Sequence, residues 1–284
     1  MNNTLKQYYE RNNILTINQD PKTSKGTSKG YITAIIYMAP ASLSGRNVCS
    51  FSTSGCRAVC LNMAGRGQFN YIQQSRLNRT RYFITDKINF LNNLVLRISN
   101  FITYANKKGL TPVIRLNGTS DIPYENIKIK LENLLQYKKL QNKKHSNVFK
   151  SFFRGSFRDD WRKYLNVSSL NIMDIFPDVQ FYDYTKYPQQ RRPKAINQAN
   201  YDLTFSRAES NEPQALEYIK TNSGRASFVF SGKLPEYYKG FKVIDADKTD
   251  LRFLEPKNVI TGLIFKGSKK TLKKGIASGF VIPS

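Results

Sequence analysis

Cys49, Cys56 and Cys60 fall within twelve residues of a 284-residue chain, and they are its only cysteines. Thiolates are soft ligands, so a run spaced Cys49-x6-Cys56-x3-Cys60 points first to metal chemistry. Three occupancies are open. A [4Fe–4S] cluster can be held by three cysteines, leaving one iron free for another ligand. A structural zinc needs four nitrogen or sulfur ligands, and the one other candidate is His145, the chain's sole histidine. The third option is three ordinary thiols. The loop favours wrapping around a cluster. Ser50, Ser52, Thr53, Ser54 and Gly55 bring hydroxyls and backbone N–H groups that can bond inorganic sulfur. Gly45, Gly55, Gly65 and Gly67 let the backbone follow closely.

The same scarcity excludes other chemistry. A Ser-His or Cys-His nucleophile would have to use His145, in the basic, turn-like stretch Gln141–Asn147, a poor setting for a held base. An odd cysteine count argues against a disulfide framework. Met1–Gln19 is polar with no apolar signal core, and no run approaches 18 apolar residues. The expected location is therefore intracellular.

These thiols must be positioned by regular elements. Tyr31–Met38 reads as a buried strand, with the cysteine loop directly after it. Helices are expected over 68–83, carrying Arg76, Arg79 and Arg81, and over 86–106. In the second, Ile88, Leu91, Leu94, Val95, Ile98, Phe101, Ile102 and Ala105 repeat at helical spacing, capped by Thr85 or Asp86 and stopped at Lys107–Gly109. Strands follow at 111–116, 179–185, 202–206, 225–230, 242–246 and 259–265, with a short helix over 211–219. Strands alternating with helices or long connections give a mostly parallel α/β sheet, open or curled into a partial barrel. In such folds the working site lies at the strand C-termini. There Asn117, Asp121, Asp183, Lys186, Ser206 and Arg207 should converge with the cysteines as ligand-binding groups. Arg115 with Asp121, and Asp183 with Lys186, could contact a polar ligand. Tyr182 and Tyr184 alternate with Asp183, so the two sets point to opposite faces. Asp245 and Asp247 are a further pair, read as cation ligands, acid and base, or a surface turn.

The chain carries 45 Lys+Arg against 20 Asp+Glu, a net charge of +25, so its partners should be anionic. With 40% apolar and 13% aromatic residues it must also fold. Residues 126–165 differ from the rest. They hold eleven Lys/Arg, three acids, and Phe152, Phe153, Phe157, Trp161 and Tyr164. That is the mix used on single-stranded DNA or RNA. The expected organisation is a polar arm at 1–30, an α/β body at 31–125 and 166–284, and a basic helical insertion at 126–165.

A strand, a three-cysteine loop and then a helix resembles the start of radical-SAM enzymes, although their usual spacing is C-x3-C-x2-C. That likeness implies a partial (βα)6 barrel, a [4Fe–4S] cluster and S-adenosylmethionine at its open iron. A second resemblance is to a bacteriophage family labelled gene product 88. It rests on Asn47–Cys60, Val113–Asp121, Asp178–Lys186, Leu203–Ser206, Asp250–Phe253 and Gly262–Val281. It implies phage origin, and so a place in the cytoplasm of the infected bacterial host, with a radical-SAM-like barrel and a cysteine-bound cluster. The preferred expectation is an iron–sulfur protein acting on or with nucleic acid. The alternative is a non-catalytic nucleic-acid-binding protein with a structural metal.

Overall fold

The structure is a computed structural model that describes residues 14–130, 132–134, 169–221 and 224–284. Its strands in chain order are β1 (Thr16–Ile17), β2 (Tyr31–Ile35), β3 (Thr111–Arg115), β4 (Ile129–Lys130), β5 (Ser169–Leu170), β6 (Gln180–Thr185), β7 (Tyr201–Ser206), β8 (Arg225–Phe230), β9 (Tyr237–Tyr238), β10 (Phe241–Asp245), β11 (Val259–Ile264) and β12 (Val281–Ile282). The helices used below are α1 (Pro21–Ser24), α2 (Ser54–Ala58), α3 (Asn70–Thr85), α4 (Lys87–Lys107), α5 (Glu212–Thr221) and α6 (Lys269–Ala277).

The centre is a mostly parallel sheet ordered β1-β2-β3-β6-β7-β8-β11-β10-β9. From β2 to β11 six parallel strands lie side by side in chain order. Both edges are antiparallel, β1 on β2 and β9 on β10, and the described strands do not close into a barrel. β12 pairs with the end of β8, at Val229 and Phe230, where the short β7–β8 ladder over Ala226 and Ser227 has run out.

Alternation along the strands gives the sheet two unlike faces. Ile32, Ala34, Ile114 and Phe181 pack with Phe90, Leu94, Ile98 and Phe101 of α4 in one core. Phe205, Ala226, Phe228 and Ile260 pack with Ala215 and Ile219 of α5 in another. The opposite face buries polar groups, among them Thr33, Arg115, Tyr182, Thr204, Ser227 and Thr261. The connection from β10 to β11 crosses this polar face. Its Leu251 and Phe253 pack on Tyr31, Val113 and Tyr182, and its Asp250 meets Arg115 at 2.6 Å.

α4 runs close to expectation. Asp86 caps it, accepting from Asn89 N, and Gly109 supplies the left-handed turn after it (φ +66°). Ile88, assigned to the apolar stripe, is 56% exposed, because the buried stripe starts at Phe90. α6 carries no apolar stripe long enough to announce it, and the sequence reading passes over it.

Two boundaries need comment. The arm expected at 1–30 is part of the fold from Ile14 onward. Ile14 and Leu15 are buried, β1 extends the sheet, and Asp20 caps α1. β4 and β5 form a two-stranded antiparallel ladder, Ile129 opposite Leu170 and Lys130 opposite Ser169. It brings together the two chain ends that lead into residues 131–168. His145 and the aromatic residues from Phe152 to Tyr164 lie outside the described residues. Among the described residues no helix is long and apolar enough to cross a membrane.

Candidate functional site at the cysteine loop

The cysteine loop leaves the C-terminal end of β2. Cys49 receives the Ala41 N–H at 3.4 Å and donates to the Thr119 carbonyl, in the loop after β3, at 3.7 Å. Cys56 sits on α2, whose first turn is capped by Thr53 accepting the Cys56 N–H at 3.1 Å. Cys60 follows at the entry to a 3-10 turn over Leu61–Met63. All three are free and half-buried.

The thiols share one electrostatic neighbourhood. Burial pushes Cys49 up to about 12, and negative charge on Cys60 or Cys56 would raise it further. Burial also raises Cys60, which feels Cys56 on one side and the cations Lys186 and Arg76 on the other. Metal binding here would displace protons from neutral thiols.

Glu209, in the turn after β7, fixes the loop from outside. It accepts from Thr53 Oγ1 and the Gly55 N–H, both at 2.7 Å, and from Ser54 Oγ at 3.4 Å. These hydrogen bonds hold its carboxyl below the usual range, against a burial effect of opposite sign. Position 55 leaves little room for a side chain, since a Cβ there would lie 2.7 Å from both Glu209 Oε2 and Ser278 Oγ. The same holds at Gly67, where a Cβ would lie 2.7 Å from the Asn62 carbonyl.

Two cations face the thiols. Arg76 is buried, hydrogen-bonded to the Asn62 side chain and 5.1 Å above the Tyr37 ring. Burial lowers its affinity for the proton, and its Nε has no hydrogen-bond partner. Lys186 directs its Nζ to Ser206 Oγ at 2.6 Å and lies 5.6 Å from the Phe280 ring. Among the described residues neither cation pairs with a carboxylate.

Of the six strand-end residues expected to bind a ligand, Lys186 with its partner Ser206 and Asp121, whose charge acts on Cys49, belong to this neighbourhood. Asn117 is consumed by its own loop, accepting from Ser120 Oγ and Ile122 N and donating to the Ile122 carbonyl. Asp183 points to the helix side and accepts from Leu116 N, Asn117 N, Asn117 Nδ2 and Tyr201 OH. Burial pushes its carboxyl up to about 6. It does not contact Lys186. Asp121 takes the Lys186 N–H at 2.8 Å and faces Arg192, whose guanidinium forks onto Glu125 at 2.8 and 2.7 Å. Arg207 clamps the chain ahead of β12 through the Gly279 and Phe280 carbonyls and pairs with Glu212 at 2.6 Å. Arg115 pairs with Asp250 rather than Asp121. Asp245 and Asp247 form a turn, with Asp247 tied to Lys22 and Lys266. Arg79 is buried against the Tyr37 carbonyl, while Arg81 is exposed.

A model for the family described as Gene product 88 matches residues 5–283. The chain belongs to the gene product 88 family. This is a phage gene-product family, and the match spans the cysteine loop, the sheet and α6 together. No curated protein and no solved structure matches the chain.

The sequence reading missed Glu209, Tyr37 and Asn62. Glu209 could have been suspected as an acid just past a strand end. Tyr37 and Asn62 carry no local signal.

The residues that could hold a metal or cluster are three soft thiols, with a backbone N–H on one sulfur and two cations, Arg76 and Lys186, nearby. Among the described residues no three His, Cys, Asp or Glu side chains group around a single metal ion.

Proposed function

We propose that Cys49, Cys56 and Cys60 hold a [4Fe–4S] cluster at the strand C-termini, in a radical-SAM-like arrangement with S-adenosylmethionine as co-substrate. The observation that carries this reading is the pairing of three mutually coupled thiols with two cations, Arg76 and Lys186, neither of which forms an ion pair among the described residues. A cluster ligated by three thiolates is an anion, so it would answer the charge that the fold leaves open. The run of six parallel strands in chain order, with the cysteine loop after its first strand, has the order of a partial (βα)6 barrel wall.

When bound, such a cluster supplies an electron to a molecule at the iron that no cysteine holds. The chain's own residues do the rest. Glu209 and Thr53 fix α2, Ala41 N–H bonds to one sulfur, and Lys186 and Arg76 hold positive charge beside the thiolates.

Anaerobic purification tests the first part. A brown protein with about four irons per chain is expected, and a colourless protein with one zinc overturns the reading. Reduction with dithionite in the presence of S-adenosylmethionine tests the second part. Release of 5′-deoxyadenosine is expected, and no product with no change in the EPR spectrum overturns it.

A further inference from the structure

The cysteine loop and α6 share a surface on which the one acid shown, Glu209, is taken up by Thr53, Ser54 and Gly55. From Pro21 to Thr85 the chain has nine Lys/Arg and no Asp or Glu, and from Pro256 to Ser284 it has six Lys and none. The fold brings these two segments together. α6 packs on α2, with Gly275 against Val59 and Ser278 beside Gly55. Lys269, Lys270, Lys273 and Lys274 of α6 are exposed, as are Arg57 and Arg66 on the loop.

Large apolar side chains stand in water on the same loop. Leu61 is 63% exposed, Met63 66%, Phe69 47% and Tyr71 67%. The Phe69 and Tyr71 rings lie 5.9 Å apart at 19°, nearly parallel. Adjacent apolar side chains left in water mark a contact surface. An excess of exposed cations selects a polyanion, and exposed parallel rings select one with planar faces to stack on them. A duplex hides those base faces and a single strand presents them.

We propose that this surface, from the α6 lysines across the rim of the cysteine loop to Phe69 and Tyr71, binds single-stranded nucleic acid. It names the partner brought to the proposed cluster site and so rests on that reading for its purpose, while the binding itself requires no metal. It is separate from the basic stretch at 126–165, to which composition alone assigns the same chemistry.

Fluorescence anisotropy of the full chain with labelled oligonucleotides of about 20 nucleotides, as single-stranded DNA, single-stranded RNA and DNA duplex, tests the proposal. Tighter binding of single strands is expected, weakening with salt by a log–log slope of about −0.7 per phosphate neutralised. Phe69→Ala or Tyr71→Ala should weaken binding roughly 5- to 150-fold, and Tyr71→Trp should keep it. Lys269→Gln with Lys270→Gln, Lys273→Gln and Lys274→Gln should flatten the salt slope. Iron content and circular dichroism should not change in these variants, which separates loss of the surface from loss of the cluster or fold. Duplex bound as tightly as single strand overturns the proposal, as does equal competition by polyglutamate. So does binding that ignores Phe69→Ala and Tyr71→Ala but is lost on Lys→Gln at 138, 139, 143 and 144. A chain without iron that still binds single strands sinks the cluster and leaves this surface standing.

Discussion

Arg115 and Arg76 are both buried guanidiniums, and the fold treats them differently. Arg115, on the part of the polar sheet face crossed by the β10–β11 connection, meets Asp250 at 2.6 Å, and the Tyr184 ring lies 5.0 Å away. Its neighbours follow suit. Arg252 pairs with Glu255 at 2.5 Å and Arg225 pairs with Asp202. At the cysteine loop, Arg76 has an amide and a ring, and Lys186 has a hydroxyl. Removing a charge from water costs several kcal/mol unless a counter-charge is supplied. The chain meets this cost with carboxylates at one end and, for Arg76, with an amide and a ring at the other. On the proposed reading the cysteine end would take up an anion.

The widest separation between the two ends should come from serine replacements. Cys49→Ser, Cys56→Ser or Cys60→Ser should each reduce iron from about four per chain to almost none by metal analysis, with circular dichroism largely kept. Retained iron in all three would break the comparison at its centre. At the covered end, Asp250→Ala leaves Arg115 buried without its partner, and should cost about 3–5 kcal/mol in urea unfolding. The iron content should be unchanged.

Asp183→Asn should cost about 2–3 kcal/mol, because an amide presents N–H groups to donors that now meet a carboxylate. This site also sets a pH slope. The Asp183 carboxyl ordinarily titrates at 3.8 and is pushed up to about 6 by burial. Between those values the unfolded chain ionises first, so this group's contribution falls as pH rises from about 4 to 6 and is flat above. Urea titrations across that range should show the slope in the parent and not in Asp183→Asn. The smallest effect on folding is expected from Lys186→Met, within about 1 kcal/mol. Its readout is the cluster, whose reduction potential should become more negative once a nearby cation is gone. An unchanged potential would remove Lys186 from the site.

Local pattern carried much of this architecture. The apolar stripe of α4 and the β-branched run of β2 give their elements directly, because 3.6-residue and two-residue periods are written into neighbouring residues. α6 escaped because its face on the fold is narrow, with Gly275 its one buried residue. β1 escaped because it is two residues long and lies in a polar stretch.

The candidate site divides the same way. By their spacing alone the three cysteines announced themselves, since chain connectivity keeps residues 49 to 60 close in any fold. The polar groups at strand ends were equally visible, and most pair with other groups of the fold. Which of them do so depended on partners far along the chain. Asn117 meets Asp183 across 66 residues, and Arg115 meets Asp250 across 135. No local pattern encodes such pairings, and only the order of strands in the sheet brings them about. The sequence by itself determined the elements, the positive charge and the thiol cluster, because each is a property of residues near one another in the chain. Tertiary structure alone decided which cations are balanced and which are left facing the thiols, because a counter-charge acts through space.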